Sequence, residues 1–201
     1  MTQKNAKLLG GVAELVITPP VGAPTLGTIQ RSTGVHDDLC ARALVLNDGK
    51  QRLAILSLDL IGMDFVLSDC IRDAIRKRTG INVTLVHCTH NHSAPFTIPW
   101  SVLGTRWLSG PGRTWRDGLV PQLAELVSQA DGKSESVVLC AGRTPVHIGT
   151  NRRLESEEGI VMKPNPGGPV VPWVDVLRVD RLDGRPAAIL FSHRHRGSPA
   201  P

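Results

Sequence analysis

Tyrosine is missing from these 201 residues, and Phe (3) and Trp (4) are few. A core without aromatics has to be filled by Val, Leu, Ile and Ala. The four cysteines, Cys40, Cys70, Cys88 and Cys140, lie far apart and form no C-x-x-C pair. That spacing excludes a zinc knuckle and a disulfide framework, and we expect small buried hydrophobes in a reducing compartment. There is no P-loop, no G-x-S-x-G, no H-E-x-x-H and no internal repeat. Long apolar runs are missing too. Residues 1–9 form a polar leader, and the apolar stretch after it is broken by Gly10, Gly11 and Glu14. This is a poor signal peptide and no membrane span, so we expect a soluble, cytoplasmic chain without a transmembrane segment. The net charge of +5 is mild and its cations are scattered. Arg72, Arg76, Lys77 and Arg78 share one helical stretch without interleaved aromatics, which reads as a solvated helix face and not as a nucleic-acid surface.

What is present has the pattern of a mixed α/β domain. Residues 10–17 read as a strand stopped by Thr18-Pro19-Pro20, followed by an irregular Gly/Pro/Thr-rich loop over 21–33. Residues 38–46 and 52–60 are β-prone runs joined by Asn47-Asp48-Gly49-Lys50, a strong hairpin signal. Asp59, near the end of the second run, must be paired or used, and pairing with Arg42 across the hairpin is the favoured reading. Residues 64–79 read as a helix with Val66, Leu67, Cys70, Ile71, Ala74 and Ile75 on its apolar side, Asp64 as N-cap and Gly80 as terminator. The next strand, entered from this helix, makes a strand–helix–strand unit and so a parallel pair.

Residues 96–113 read as a long loop, and 119–130 as a second helix with Leu119, Val120, Leu123, Leu126 and Val127 on one face. Pro121 suits only the first turn of such a helix. Residues 136–140 and 143–148 read as two strands, 151–153 as a charged loop edge and 161–172 as irregular. Asp183-Gly184 joins 174–179 to 186–191 as a second hairpin. The expected architecture is a sheet of roughly six or more strands with two helices packed against it.

The chemistry concentrates in residues 82–95, a buried strand that turns polar at Thr89-His90-Asn91-His92 and stops at Pro95. Neutral imidazole suits Zn²⁺, and residues two apart on an extended strand share a side, so His90 and His92 face one cavity on this reading. A polar cap on a strand end is the plainer alternative. If the preceding pair is parallel, these histidines stand at its carboxyl end, where open α/β sheets place ligand sites. His87 reads as a core histidine, His147 as a strand-surface residue, and His36 before Asp37-Asp38 as a loop polar cluster or a carboxylate-oriented imidazole.

Several pieces taken together resemble the neutral/alkaline (non-lysosomal) ceramidase family. They are Gly11-Val12-Ala13, Ile17-Thr18-Pro19-Pro20, Gly34-Val35-His36, Ala41-Arg42-Ala43, Ser57-Leu58-Asp59 and Thr89-His90-Asn91-His92-Ser93-Ala94-Pro95. The resemblance runs from about residue 10 to residue 191. It implies an incomplete N-terminal part of a larger catalytic domain, spanning 10–192, of a zinc-dependent amidase that cleaves ceramide into sphingosine and fatty acid. It implies zinc as cofactor, His90 as a metal ligand, His92 at the substrate and a ceramide-like lipid as partner. Members of the family are often secreted or membrane-associated. Within the motif Asn91 stands for the usual Thr and Ala94 for the usual Gly.

The family's second ligating His follows a strand matching 187–192, and its Glu and Tyr ligands lie further along; the tail 193–201 reads as an aberrant, out-of-frame or truncated continuation. We therefore expect an inactive fragment with weak or no zinc binding. A non-catalytic lipid- or partner-binding module, or another metal-dependent hydrolase completed by oligomerisation, are the alternatives.

Overall fold

The computed structural model describes residues 8–25, 31–95, 97–98, 111–147 and 149–192. The chain divides into two compact units, Met1–Val137 and Val138–Pro201.

In the first unit, β1 (Leu9–Val16), β2 (Cys40–Asn47) and β3 (Arg52–Leu58) are followed by α1 (Phe65–Thr79), β4 (Val83–Cys88) and α2 (Pro111–Gly132). The sheet runs β4-β3-β2-β1 and continues into the first residues of β5 (Glu135–Pro145), which pair with Leu9 and Gly10. β1, β2 and β3 are antiparallel neighbours, whereas β3 and β4 are parallel, as the intervening helix requires. The sheet is therefore mixed.

Alternation decides the faces. Ala43, Leu56 and Val86 stand in register across three strands, beside Ala41, Val45, Ala54 and Leu58. This side packs with Leu67, Ile71 and Ile75 of α1 and with Leu119, Leu123, Leu126 and Val127 of α2. Each fully buried Leu or Ile contributes roughly 2 kcal/mol, and the alanines of β2 keep that side thin enough for helices to sit close.

The helix ends follow the expected chemistry. Asp64 caps α1 by accepting from the Leu67 N–H at 2.7 Å, and Gly80 closes it at φ 72°. Arg76, Lys77 and Arg78 occupy the last turn, where the dipole is negative. Arg72, Arg76 and Arg78 pair with Asp69, Asp73 and Glu125, so this basic stretch is a solvated, ion-paired face.

Several expectations are corrected in this unit. Val66 and Cys70 are exposed, and Ser68 takes their place beside Leu67, because the buried arc of α1 is narrower than the apolar pattern suggests. Cys140, in the second unit, is exposed as well, so only Cys40 is a buried hydrophobe and Cys88 is half-buried. α2 is 22 residues long and carries Pro121 in its interior. That proline is on the exposed side, where a carbonyl deprived of its N–H partner meets water. α2 also absorbs the end of the expected 96–113 loop, most of which lies outside the described residues.

The second unit contains the rest of β5 beside β8 (Trp173–Arg181), which pairs with β9 (Pro186–Ser192). β6 (Asn151–Ser156) and β7 (Gly159–Asn165) form a separate hairpin. The Asp183-Gly184 turn is as expected, with Gly184 at φ 83°. β5 is one strand where two were expected. The loop edge at 151–153 and the irregular stretch after 161 prove to be the paired strands β6 and β7. Their turn depends on Gly159 at φ 104°, a signal hidden behind Glu157 and Glu158.

Candidate metal and substrate site

The site is built at the carboxyl ends of the two parallel strands. β3 ends at Leu58 and leads into Asp59-Leu60-Ile61-Gly62; β4 ends at Cys88 and leads into Thr89-His90-Asn91-His92. The ladder extends one step beyond β4, with the Thr89 N–H donating to the Leu58 carbonyl at 2.9 Å. Then the chain turns. The N–H groups of His90 and Asn91 both donate to the Leu60 carbonyl, at 3.0 and 3.2 Å.

His90 has φ 63° and is the one non-glycine residue at positive φ among those described. Such a backbone costs on the order of 1 kcal/mol or more and persists only where its surroundings enforce it; such residues cluster at functional sites. The extended arrangement expected for His90 and His92 is thereby corrected: a left-handed turn, not strand alternation, carries them. The rings nevertheless meet, with centroids 5.0 Å apart and planes at 74°.

The His90 ring is oriented by the main chain. Its Nδ1 lies 2.8 Å from the Ile61 carbonyl oxygen. A carbonyl only accepts, so Nδ1 carries a proton, and in the neutral ring Nε2 keeps a free lone pair. That is the arrangement in which a ligating histidine is held by its other nitrogen.

Three successive carbonyls, those of Leu60, Ile61 and Gly62, thus hold the histidine loop, the last accepting from the Thr97 hydroxyl. Arg116 of α2 closes the far side, donating to the Thr97 carbonyl and to Asp64, both at 2.8 Å. Asn91 shapes the rest through its side chain, which accepts from the Ser93 N–H at 2.9 Å.

Asp59 makes the expected contact with Arg42, at 3.2 Å, and more besides. Its carboxylate also accepts from the Cys40 N–H at 3.1 Å and from the Thr89 hydroxyl at 3.2 Å. Arg42 is held in turn by Glu14 at 2.6 Å. Thr18 of the Thr-Pro-Pro segment accepts from the Leu39 N–H at 2.9 Å and donates to Asp38 at 2.7 Å, which fixes the entry to β2.

His36, His87 and His147 make none of the hydrogen bonds described above. His87 is exposed, on the row of Glu14, Arg42 and Ser57 that faces away from the core, which corrects its expected burial. His36 bonds its neighbour Asp37 at 2.8 Å with both side chains exposed, a loop polar cluster. His147 follows the end of β5 and is exposed.

Among the described residues no three His, Cys, Asp or Glu side chains gather as a metal cluster. His193, His195 and the rest of 193–201 lie outside those residues. A groove lined by Leu15, Pro121, Gln122, Glu125, Leu126 and Gln129 includes neither His90 nor His92. No described helix is long and apolar enough to cross a membrane. Sequence reasoning missed Thr97 and Arg116, which carry no local motif. It also missed the role of the Ile61 carbonyl, which no side chain announces.

No family model and no curated protein match this sequence. Solved structures do. Neutral ceramidase from Pseudomonas aeruginosa superposes with a TM-score of 0.73 at 16% identity, over 94% of this chain and 32% of that one. A ceramidase complexed with C2 gives 0.72 at 18% identity, over 92% of this chain and 31% of that one. The chain thus has a ceramidase-like α/β fold and spans about a third of the length of these ceramidase structures.

Proposed function

We propose that this chain is a portion, spanning 10–192, of a zinc-dependent amidase that hydrolyses the N-acyl bond of ceramide to sphingosine and fatty acid. The observation that carries the reading is the His90 ring, with Nδ1 on the Ile61 carbonyl and Nε2 left as a lone-pair donor on a ceramidase-like fold. His90 is the metal ligand through Nε2. His92, edge-on to it at 5.0 Å, lines the substrate side. A bound zinc supplies polarisation of the amide carbonyl and a water of lowered pKa. The part of this chain is to hold one imidazole aimed by its Nδ1, and to set a second beside it for the substrate. A catalytic zinc takes three protein ligands and an open position. His90 is the one ligand assigned among the described residues, so we expect the 201 residues taken alone to bind zinc weakly and not to turn over ceramide.

Elemental analysis of the purified chain after zinc titration tests this, with His90→Ala and His92→Ala in parallel. Zinc uptake is weak in the wild type, abolished by His90→Ala and retained by His92→Ala. Uptake that is indifferent to His90→Ala removes the assignment.

The exposed Val83 and Leu85 of β4 favour a second reading, a non-catalytic lipid- or partner-binding module. Saturable ceramide binding that survives His90→Ala supports that module over the amidase.

A further inference from the structure

We propose that Asp59 is a positioning residue that acts through Thr89 to hold the His90 ring in its ligand-ready tautomer; this rests on His90 being the metal ligand. The Asp59 carboxylate is 22% exposed and has no slack. One oxygen accepts from the Cys40 N–H and from Arg42, at 3.1 and 3.2 Å. Arg42 is itself braced by Glu14 at 2.6 Å across the β1–β2 register. The other oxygen accepts from the Thr89 hydroxyl at 3.2 Å. A carboxylate braced from two strands therefore ends on the residue directly before His90.

Thr89 is pinned twice, by this hydroxyl and by its N–H on Leu58. Asn91 is pinned on Leu60. With both neighbours fixed and its own N–H on the Leu60 carbonyl, His90 sits at φ 63° and its Nδ1 falls on the Ile61 carbonyl. A β-region φ is the cheaper state for His. Once the Thr89 hydroxyl loses its carboxylate, the loop loosens on that side, His90 relaxes toward the β region, the ring leaves its acceptor and both tautomers are populated. If Asp59 served only to neutralise Arg42, the Thr89 hydroxyl would have no influence on the ring.

The test uses the ¹⁵N-labelled 201-residue chain without metal, at about pH 8, where an ordinary imidazole is neutral. Long-range ¹H–¹⁵N correlations read the His90 tautomer. The wild type and Thr89→Ser show a protonated Nδ1 and a bare Nε2. Thr89→Val and Asp59→Ala show the averaged shifts of exchanging tautomers, with His36 unchanged. Circular dichroism checks that each variant is folded. Thr89 is exposed, so Thr89→Val carries the result even if Asp59→Ala does not fold. A folded Thr89→Val that keeps the single tautomer overturns the proposal, as does averaging in the wild type. Zinc affinity is then titrated and falls about 10-fold in Thr89→Val. If the tautomers behave as stated and the wild type takes no zinc at His90, the metal reading fails and the positioning role stands.

Discussion

His90 is the residue at which local preference and tertiary constraint disagree. Its φ of 63° is unfavourable for a side chain with a Cβ, yet its N–H and its ring bond the Leu60 and Ile61 carbonyls and a carboxylate-braced threonine precedes it. Strain kept in place by that many partners is the physical mark that separates this histidine from His36, His87 and His147.

The thiols differ in the same way, through environment and not through sequence. Burial pushes the Cys88 thiol from its ordinary 9.0 up to about 11, while Cys70 and Cys140 stand in solvent. At about pH 8 the two-unit difference makes the Cys88 thiolate fraction about 100-fold smaller than that of an ordinary thiol. Mass-spectrometric labelling with an alkylating reagent is therefore expected to modify the exposed Cys70 and Cys140 first and Cys88 more slowly than either. Equal rates at Cys88 and Cys70 contradict the burial.

At the scale of elements, the join between β1 and α2 depends on an absent side chain. A Cβ on Gly11 would stand 1.9 Å from the Ala130 carbonyl oxygen, a backbone atom that cannot swing aside. The Gly10-Gly11 pair, which merely interrupts an apolar run in the sequence, is what lets the helix approach the strand. Gly11→Ala is expected to destabilise the first unit by about 3 kcal/mol, the upper part of the overpacking range, because α2 or β1 must shift. Urea unfolding measures it, and a loss within about 0.5 kcal/mol, typical of a neutral surface site, contradicts the contact. The β2–β3 hairpin, by contrast, follows from its own turn chemistry. Asn47 and Asp48 accept from the Gly49, Lys50 and Gln51 N–H groups, and Gly49 takes φ 84°. The β6–β7 hairpin was invisible in the sequence because its turn has one glycine and its strands alternate weakly, with Ile160 and Met162 on the outside.

For the molecule as a whole, β4 ends the strand order of its sheet and leaves Val83 and Leu85 half-exposed on the side away from the helices. An apolar edge strand is a template for pairing with another chain. Concentration-dependent self-association is expected in sedimentation velocity, and Leu85→Lys is expected to reduce it while leaving the melting temperature nearly unchanged. Association equal in both chains places the sticky surface elsewhere.

The sequence by itself determined the mixed α/β class, both helices, the two Asp-Gly hairpins and the position of Thr89-His90-Asn91-His92 at the end of a parallel strand. Each of these rests on periodicity, turn chemistry or capping, which act over a few neighbouring residues. Tertiary structure alone decided which thiols are buried and which arc of α1 faces the sheet. It alone brought the Ile61 carbonyl to the His90 ring and the Asp59 carboxylate to Thr89. Those contacts join residues about thirty positions apart in the chain, one of them through a backbone carbonyl that every residue shares, so no local pattern of side chains encodes them.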